Sequence, residues 1–183
     1  MMENKKEIEI DGKRFETYIP QVRIEQRIGE IAEQMNRDYE GDDPLILVVL
    51  NGAILFAAEL LKKLNFPLEI SCIKYTSYEG MVAGTSVKEV IGLPKRGMEN
   101  RRVIVVEDIV DTGNTIKYLH EELEKRKVGE VAVASLTLKK DAYKADIPIR
   151  YVGFEITNEF IVGYGMDYNQ KGRQYPDIYQ HKE

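Results

Sequence analysis

Two adjacent acidic residues, Glu107 and Asp108, stand between a hydrophobic run and a segment of small and polar residues. The run at residues 103–106 is typical of a buried strand in a parallel sheet. Residues 111–115, Asp-Thr-Gly-Asn-Thr, then lead into a predicted helix that starts near Ile116. Amides at a helix start bind anions because they have no partner within the helix and the helix dipole is positive there. Carboxylates beside an anion site suit hydroxyl groups or a hydrated metal ion. The segment therefore predicts a sugar-phosphate site.

The same residues also have a purely structural interpretation. Glu107 and Asp108 could be the solvated end of a strand, and Asp111 could simply cap the helix. Neighbouring residues of an ideal strand face opposite ways, so we expect the strand to end before the two acids if both reach one ligand. Two other phosphate-binding patterns are absent. The sequence has no G-x-x-x-x-G-K-[ST], and Gly163-Tyr164-Gly165 lacks the third glycine of the dinucleotide fingerprint.

The elements that must position these residues alternate between strands and helices. The patterns predict strands at residues 7–10, 14–18, 45–50, 68–74, 86–91, 103–106, 130–138 and 150–154, with a short extended segment at 160–164. They predict helices from Pro20 onward and at 54–64 and 116–127, and a long loop at 75–85. This order predicts an α/β fold with a mainly parallel sheet covered on both faces. Ligands bind at the carboxyl ends of such strands. The residues that follow predicted strands are Asn51, Gly52, Glu107, Asp108, Asp111 and Lys139.

Composition narrows the class of protein. A chain of 183 residues predicts a single domain. A net charge of −5 argues against a protein that binds nucleic acid through phosphate contacts. No apolar run approaches the roughly 20 residues needed to cross a membrane. The single cysteine, Cys72, cannot form an internal disulfide and is typical of a reducing cytoplasm, which is the expected location.

Several segments resemble one enzyme family. The string Val-Val-Glu-Asp-Ile-Val-Asp-Thr-Gly-Asn-Thr at residues 105–115 resembles the phosphoribosyl-diphosphate-binding motif of the type I phosphoribosyltransferases. Residues 50–53 resemble the pyrophosphate loop of that family, and Ser77-Tyr78 is similar to its mobile catalytic flap. Residues 135–139, 152–156 and 160–168, with Arg173, resemble the purine-binding half of the hypoxanthine-guanine members. The resemblance extends from about Ile19 to Arg173.

The resemblance implies a fold and a reaction. The fold is a single domain, 1–183, with a mainly parallel central sheet flanked by helices. A small hood subdomain would come from about 1–20 and 150–183, and a flexible catalytic loop from about 75–86. The reaction is Mg²⁺-dependent transfer of the 5-phosphoribosyl group from phosphoribosyl diphosphate to hypoxanthine and/or guanine, in purine salvage. The expected partners are these small molecules and further copies of the chain, in a homodimer or homotetramer, with no nucleic acid and no membrane.

The resemblance also implies residue roles. Asp111 would be the base at the purine ring nitrogen, with Ser77 and Tyr78 as further catalytic residues. The ribose phosphate would be bound by Glu107, Asp108, Asp111, Thr112, Gly113, Asn114 and Thr115. Pyrophosphate would be bound by Asn51, Gly52 and Arg173. The purine would be bound by Lys139, Phe160, Ile161 and Asp167, and the metal by Glu107, Asp108 and Asp167.

Some of these assignments have alternatives. Lys139 could mark a solvated strand end, Phe160 could be a core aromatic residue, and Arg173 could be one more surface arginine. Asn51 is a departure, because many relatives carry lysine there, and the resemblance implies a cis-like peptide at Leu50–Asn51. A xanthine-preferring transferase and a nucleotide-sensing RNA-binding regulator on the same fold remain alternative functions.

Overall fold

The computed structural model describes residues 6–78, 86–95 and 97–182. The strands are β1 Glu7–Ile10, β2 Lys13–Ile19, β3 Leu45–Leu50, β4 Glu69–Tyr78, β5 Ser86–Ile91, β6 Arg102–Val110, β7 Glu130–Lys139, β8 Tyr151–Ile156, β9 Ile161–Val162 and β10 Ile178–His181. The helices are α1 Gln21–Asp38, α2 Ile54–Leu61 and α3 Asn114–Lys125. None of the helices in these ranges is long and apolar enough to cross a membrane.

Six strands form the larger sheet, in the order β5-β4-β3-β6-β7-β8. Five of them are parallel, and β5 at one edge runs antiparallel to β4. The central strands are continuous hydrophobic runs because helices cover both of their faces. The predicted α/β fold with a mainly parallel sheet is confirmed.

The helices divide between the two faces of this sheet. The buried face of α1, with Ile24, Ile28 and Met35, packs with α2 against one side of the sheet, and α3 packs against the other. Alternate residues of β3 follow this division: Ile46 contributes to the first core and Leu47 to the second. The carboxyl ends of β3, β6 and β7 consequently meet at one open edge.

The smaller sheet is antiparallel, in the order β1-β2-β10-β9, and takes its strands from both ends of the chain. Its packing cluster includes Phe15, Val162 and Tyr179. This arrangement fits the expected hood. Within the range 150–183, however, β8 pairs with β7 in the larger sheet, so the hood strands begin only at β9.

Two strands, β4 and β6, continue well beyond the ends that their sequence patterns predict. β6 continues through Glu107 and Asp108 to Val110, because β7 pairs with it along that whole length. The prediction that the strand ends before the two acids is therefore wrong. β4 continues to Tyr78 through antiparallel pairing with β5, so the predicted loop from Tyr75 begins later, and residues 79–85 lie outside the described residues.

Candidate active site

A glycine shapes the turn between β6 and α3. Gly113 adopts φ 86°, in the left-handed region that favours glycine. A Cβ at this position would approach the ring of Tyr143 to 2.5 Å, so glycine is also required by space. Gly113 precedes the first residue of α3 and offers no side chain to cap it. The first amides of the helix are therefore available to a ligand.

This turn encloses a cavity, which we call the cradle. Its lining consists of Glu107, Ile109, Val110, Asp111, Thr112, Gly113, Asn114, Thr115 and Ile116. The carbonyl of Thr112 accepts a hydrogen bond from the amide of Lys144 at 3.2 Å, which fixes the outer side of the turn. All the residues expected to bind the ribose phosphate, except Asp108, lie here.

The buried acid of the cradle is Glu107. Its side chain lies on the α3 side of β6 and the residue is only 8% exposed. Among the described residues, no group forms a hydrogen bond with its Oε2. Burial raises the pKa of Glu107 well above its ordinary value, and the negative charge of Asp108 raises it further. A buried carboxyl oxygen without a partner among the described residues suits a hydroxyl group or a cation supplied by a ligand.

Asp108 faces the opposite side of β6 and lines a second cavity, which we call the base pocket. The lining of the base pocket consists of Asp108, Ile109, Asp111, Lys139, Phe160, Ile161, Met166 and Asp167. Burial raises the pKa of Asp108 to about 6, although backbone hydrogen bonds and Arg173 act in the other direction. The cradle and the base pocket share Ile109 and Asp111, so the two sites adjoin.

We expect Asp108→Asn to stabilise the metal-free protein at neutral pH. Because the carboxyl pKa rises from 3.8 to about 6 on folding, the folded state binds the proton more tightly, and stability falls as pH rises through that window. Removing the charge should add about 1–3 kcal/mol to the free energy of unfolding at pH 7.5 and little at pH 4. Urea unfolding at both pH values, with a chelator, measures this. The exposed control Asp146→Asn should give no such gain, and an equal gain in both variants would contradict the prediction.

An ion pair crosses the mouth of the base pocket. Lys139 Nζ lies 2.9 Å from Asp111 Oδ2. The side chain of Lys139 is 13% exposed and that of Asp111 is 49% exposed. A donor and an acceptor are thus held side by side where the ends of β6 and β7 meet. This pair matches a ligand edge that carries an acceptor next to an N–H group. The alternative that Lys139 marks a solvated strand end does not fit a side chain that is so little exposed.

An exposed aromatic ring forms one wall of the base pocket. Phe160 is 49% exposed, so the alternative that it is a core residue is wrong. Its ring meets the edge of Tyr168 at 5.8 Å between centroids and an interplanar angle of 85°. Phe15, which is fully buried, lies 6.4 Å behind it. The two rings support Phe160 and leave much of it accessible to a flat ligand.

Arg173 forms three polar contacts within the loop that follows β9. Its Nη1 donates to the carbonyl of Gly165 at 2.7 Å, its Nη2 donates to Gln170 Oε1 at 3.4 Å, and its guanidinium forms an ion pair with Asp167. The alternative of one more surface arginine does not fit these contacts, because the side chain of Arg173 is only 25% exposed. Its role in binding pyrophosphate stays a prediction.

The turn after β3 reaches the same edge of the sheet. The Leu50–Asn51 peptide is cis, as the resemblance implies. Gly52 lies against Asp108, and a Cβ on Gly52 would overlap that carboxyl group. Asn51 and Gly52 are thus brought beside the acids of β6. The side chains of Ser77 and Tyr78 lie outside the described residues.

Sequence reasoning assigned no role to three residues that shape the site. Thr137 is buried and donates to the carbonyl of Asp108 at 3.0 Å, which holds the β6 backbone where the acids project. Tyr143 covers Gly113, and Gly165 contacts Gly52. Of these three, only Gly165 has a sequence signal, because the glycines of Gly163-Tyr164-Gly165 are compatible with a close approach of two backbones.

Comparison with known proteins identifies the family. The sequence model of the phosphoribosyl transferase domain matches residues 16–169, and the chain belongs to this family. A hypoxanthine-guanine phosphoribosyltransferase of Streptococcus thermophilus (strain CNRZ 1066) is 37% identical over 149 residues, covering 81% of this chain and 83% of that protein.

Solved structures agree with this assignment. A hypoxanthine phosphoribosyltransferase of Staphylococcus aureus superposes with a TM-score of 0.83 at 34% identity, covering 91% of this chain and 90% of that chain. A hypoxanthine-guanine phosphoribosyltransferase of Bacillus anthracis superposes with a TM-score of 0.84 at 34% identity, covering 90% of this chain and 96% of that chain. The type I phosphoribosyltransferase fold is confirmed.

Proposed function

We propose that this protein is an enzyme of purine salvage that transfers the 5-phosphoribosyl group from phosphoribosyl diphosphate to hypoxanthine and/or guanine. The products are the nucleoside monophosphate and pyrophosphate. The observation that carries the proposal is the Lys139–Asp111 pair, which lies beside the exposed ring of Phe160 in a pocket adjoining the cradle. The names of the relatives support the same activity.

In this proposal the cradle binds the 5′-phosphate. The uncapped amides at the start of α3 donate to the phosphate oxygens, and the positive end of the helix dipole favours the charge. Glu107, from the cradle side of β6, and Asp108, from the base-pocket side, are proposed to accept hydrogen bonds from the ribose hydroxyl groups, which would lie where the two cavities adjoin. These contacts hold the ribose C1 atom at the junction of the cradle and the base pocket.

The base pocket binds the purine. Lys139 donates to the 6-oxo group, and Asp111 accepts the proton of N7, the imidazole-ring nitrogen nearest that oxygen, as N9 bonds to C1 and the C1–O bond to pyrophosphate breaks. Phe160 stacks on the ring. An amino group at the 6-position would place two donors together, which disfavours adenine.

The residues present fit a magnesium ion. Among the described residues no cluster of three metal-ligating side chains occurs, but Mg²⁺ commonly takes only one or two carboxylates and completes its shell with water and substrate phosphates. Asp108 and Asp167 line the same pocket, and Glu107 has a buried oxygen without a partner among the described residues. When bound, the ion would neutralise charge on the departing pyrophosphate. The pyrophosphate itself is proposed to be bound by Asn51, Gly52 and Arg173.

The remaining parts of the proposal follow from the family resemblance. Ser77 and Tyr78, at the end of β4, would belong to a catalytic flap that closes over the reacting atoms and excludes water. A hood formed by the smaller sheet, β1-β2-β10-β9, would complete the single domain. The enzyme would act in the cytoplasm as a homodimer or homotetramer.

Phe160→Ala should raise the KM for the purine by about 10-fold, because stacking of a base on an aromatic ring contributes about 1–3 kcal/mol. The KM for phosphoribosyl diphosphate should stay within about twofold, since Phe160 lies outside the cradle. Steady-state kinetics with each substrate varied measure both values. Val22→Ala removes an exposed apolar side chain that lines neither cavity and serves as the control. Equal increases in both KM values would contradict the stacking role.

Turnover of hypoxanthine with phosphoribosyl diphosphate and Mg²⁺ tests the proposal as a whole. We expect formation of the nucleoside monophosphate. In competition among hypoxanthine, guanine, xanthine and adenine, adenine should not be used. Preferential use of xanthine would assign the chain to a xanthine-preferring transferase. Binding to RNA with negligible turnover of any base would replace the enzymatic proposal with a regulatory one.

A further inference from the structure

A backbone contact joins the two substrate-binding loops. Gly165 adopts φ 99° and lies so close to the carbonyl of Gly52 that a Cβ on Gly165 would overlap that oxygen. Gly52 belongs to the turn after β3, and Gly165 to the loop after β9. Two segments more than 100 residues apart in sequence thus touch through main-chain atoms with no side chain between them.

Both glycines of this contact also touch residues of the candidate active site. The other side of Gly52 lies against the carboxyl group of Asp108. The amide of Gly165 donates to the carbonyl of Arg173 at 2.9 Å, and the carbonyl of Gly165 accepts from the guanidinium of Arg173 at 2.7 Å. Arg173 also pairs with Asp167, which lines the base pocket. The contact is therefore a link in a continuous path from the turn after β3 to the base pocket.

We propose that Gly165 is a positioning residue that couples the Asn51–Gly52 turn to the base pocket, so that an anion bound at the turn changes the affinity for the purine. The inference rests on the proposed function. Closely packed main-chain atoms cannot move independently, so a displacement of Gly52 shifts Gly165 and, through Arg173, Asp167. Coupling between two ligands is reciprocal, so either ligand can be used to measure it.

The coupling factor is the ratio of the hypoxanthine Kd without inorganic pyrophosphate to the Kd with saturating pyrophosphate and Mg²⁺. No reaction can occur in this mixture because it contains no ribose. Titration calorimetry of the wild-type protein should give a factor that departs from 1 by about fivefold or more. Gly165→Ala should bring it to about 1, because the added Cβ separates the two backbones.

Gly172→Ala is the matched control. Gly172 adopts φ 95° in the same loop, so alanine brings a similar conformational cost, but its Cβ would meet the end of the flexible Ile10 side chain instead of Gly52. This variant should keep the wild-type factor. A wild-type factor of 1, an unchanged factor in Gly165→Ala, or an equal loss in Gly172→Ala would each overturn the proposal.

A second measurement does not require Gly165→Ala to fold. Hydrogen exchange of the Gly165 amide in the wild-type protein should change on addition of pyrophosphate, because this amide bonds to Arg173 within the path. An unchanged exchange rate would refute the coupling. Normal turnover with a coupling factor of 1 would refute the coupling alone, whereas absence of both turnover and hypoxanthine binding would refute the proposed function and the coupling with it.

Discussion

Asp111→Asn should lower kcat by about 10²–10⁴-fold, the range typical of losing a general base. Asp111 lies where the cradle and the base pocket meet, and its Oδ2 is 2.9 Å from Lys139 Nζ, beside the proposed position of the purine ring nitrogen. Asparagine keeps the shape of the side chain but cannot accept the proton. Pre-steady-state turnover of hypoxanthine separates the chemical step from product release and measures the loss directly.

The control for this variant is Asp141→Asn. Asp141 is exposed and follows Lys140, so it changes the net charge equally without altering either cavity. It should retain wild-type kcat. If Asp111→Asn turned over at the wild-type rate, Asp111 would not be the base, and its pairing with Lys139 would remain only a structural contact.

Lys139→Ala should raise the KM for hypoxanthine by about 100-fold and change the KM for phosphoribosyl diphosphate by less than about threefold. A hydrogen bond from a charged donor contributes about 1.5–3 kcal/mol, and the side chain of Lys139 is largely enclosed. The variant also leaves Asp111 without its partner, so we expect kcat to fall as well. Steady-state kinetics with each substrate varied in turn give the two KM values.

The neighbouring lysine supplies the matched control. Lys140 pairs with Glu155 on the surface at 2.9 Å, and both side chains are exposed. Lys140→Ala should leave both KM values unchanged, because exposed ion pairs contribute little. A similar loss of affinity for both substrates in Lys139→Ala would mean that the lysine organises the whole site and does not recognise the purine.

The hydrophobic pattern was sufficient to predict most of the fold. The spacing of Ile24, Ile28 and Ile31 predicts the buried face of α1, and the structure has it. The continuous apolar run of β3 predicts a strand covered on both faces, which is also found. These elements were predictable because local periodicity and burial agree in them.

The ends of two strands depend on pairing that local sequence does not reveal. Charged residues are unusual within a buried strand, so the sequence pattern predicts that β6 ends before Glu107. β7 nevertheless pairs with β6 as far as Val110. The end of β4 is similarly set by its antiparallel partner β5, which follows a segment without apolar periodicity.

The position of the site was predictable, but its internal contacts were not. The rule for parallel sheets placed Asp111 and Lys139 at the same edge, and the structure has them 2.9 Å apart. The separation of Glu107 and Asp108 into two adjoining cavities follows from the continuation of β6. The contact between Gly52 and Gly165 joins distant segments through backbone atoms alone, and no periodicity in the sequence reports such a contact.

The most direct test of the central claim is a crystal structure of the protein with the nucleoside monophosphate of hypoxanthine. The account predicts that the phosphate accepts hydrogen bonds from the amides of residues 112–115 and that the 6-oxo group lies within about 3 Å of Lys139 Nζ. A phosphate bound elsewhere, or a purine outside the pocket bounded by Lys139 and Phe160, would contradict it.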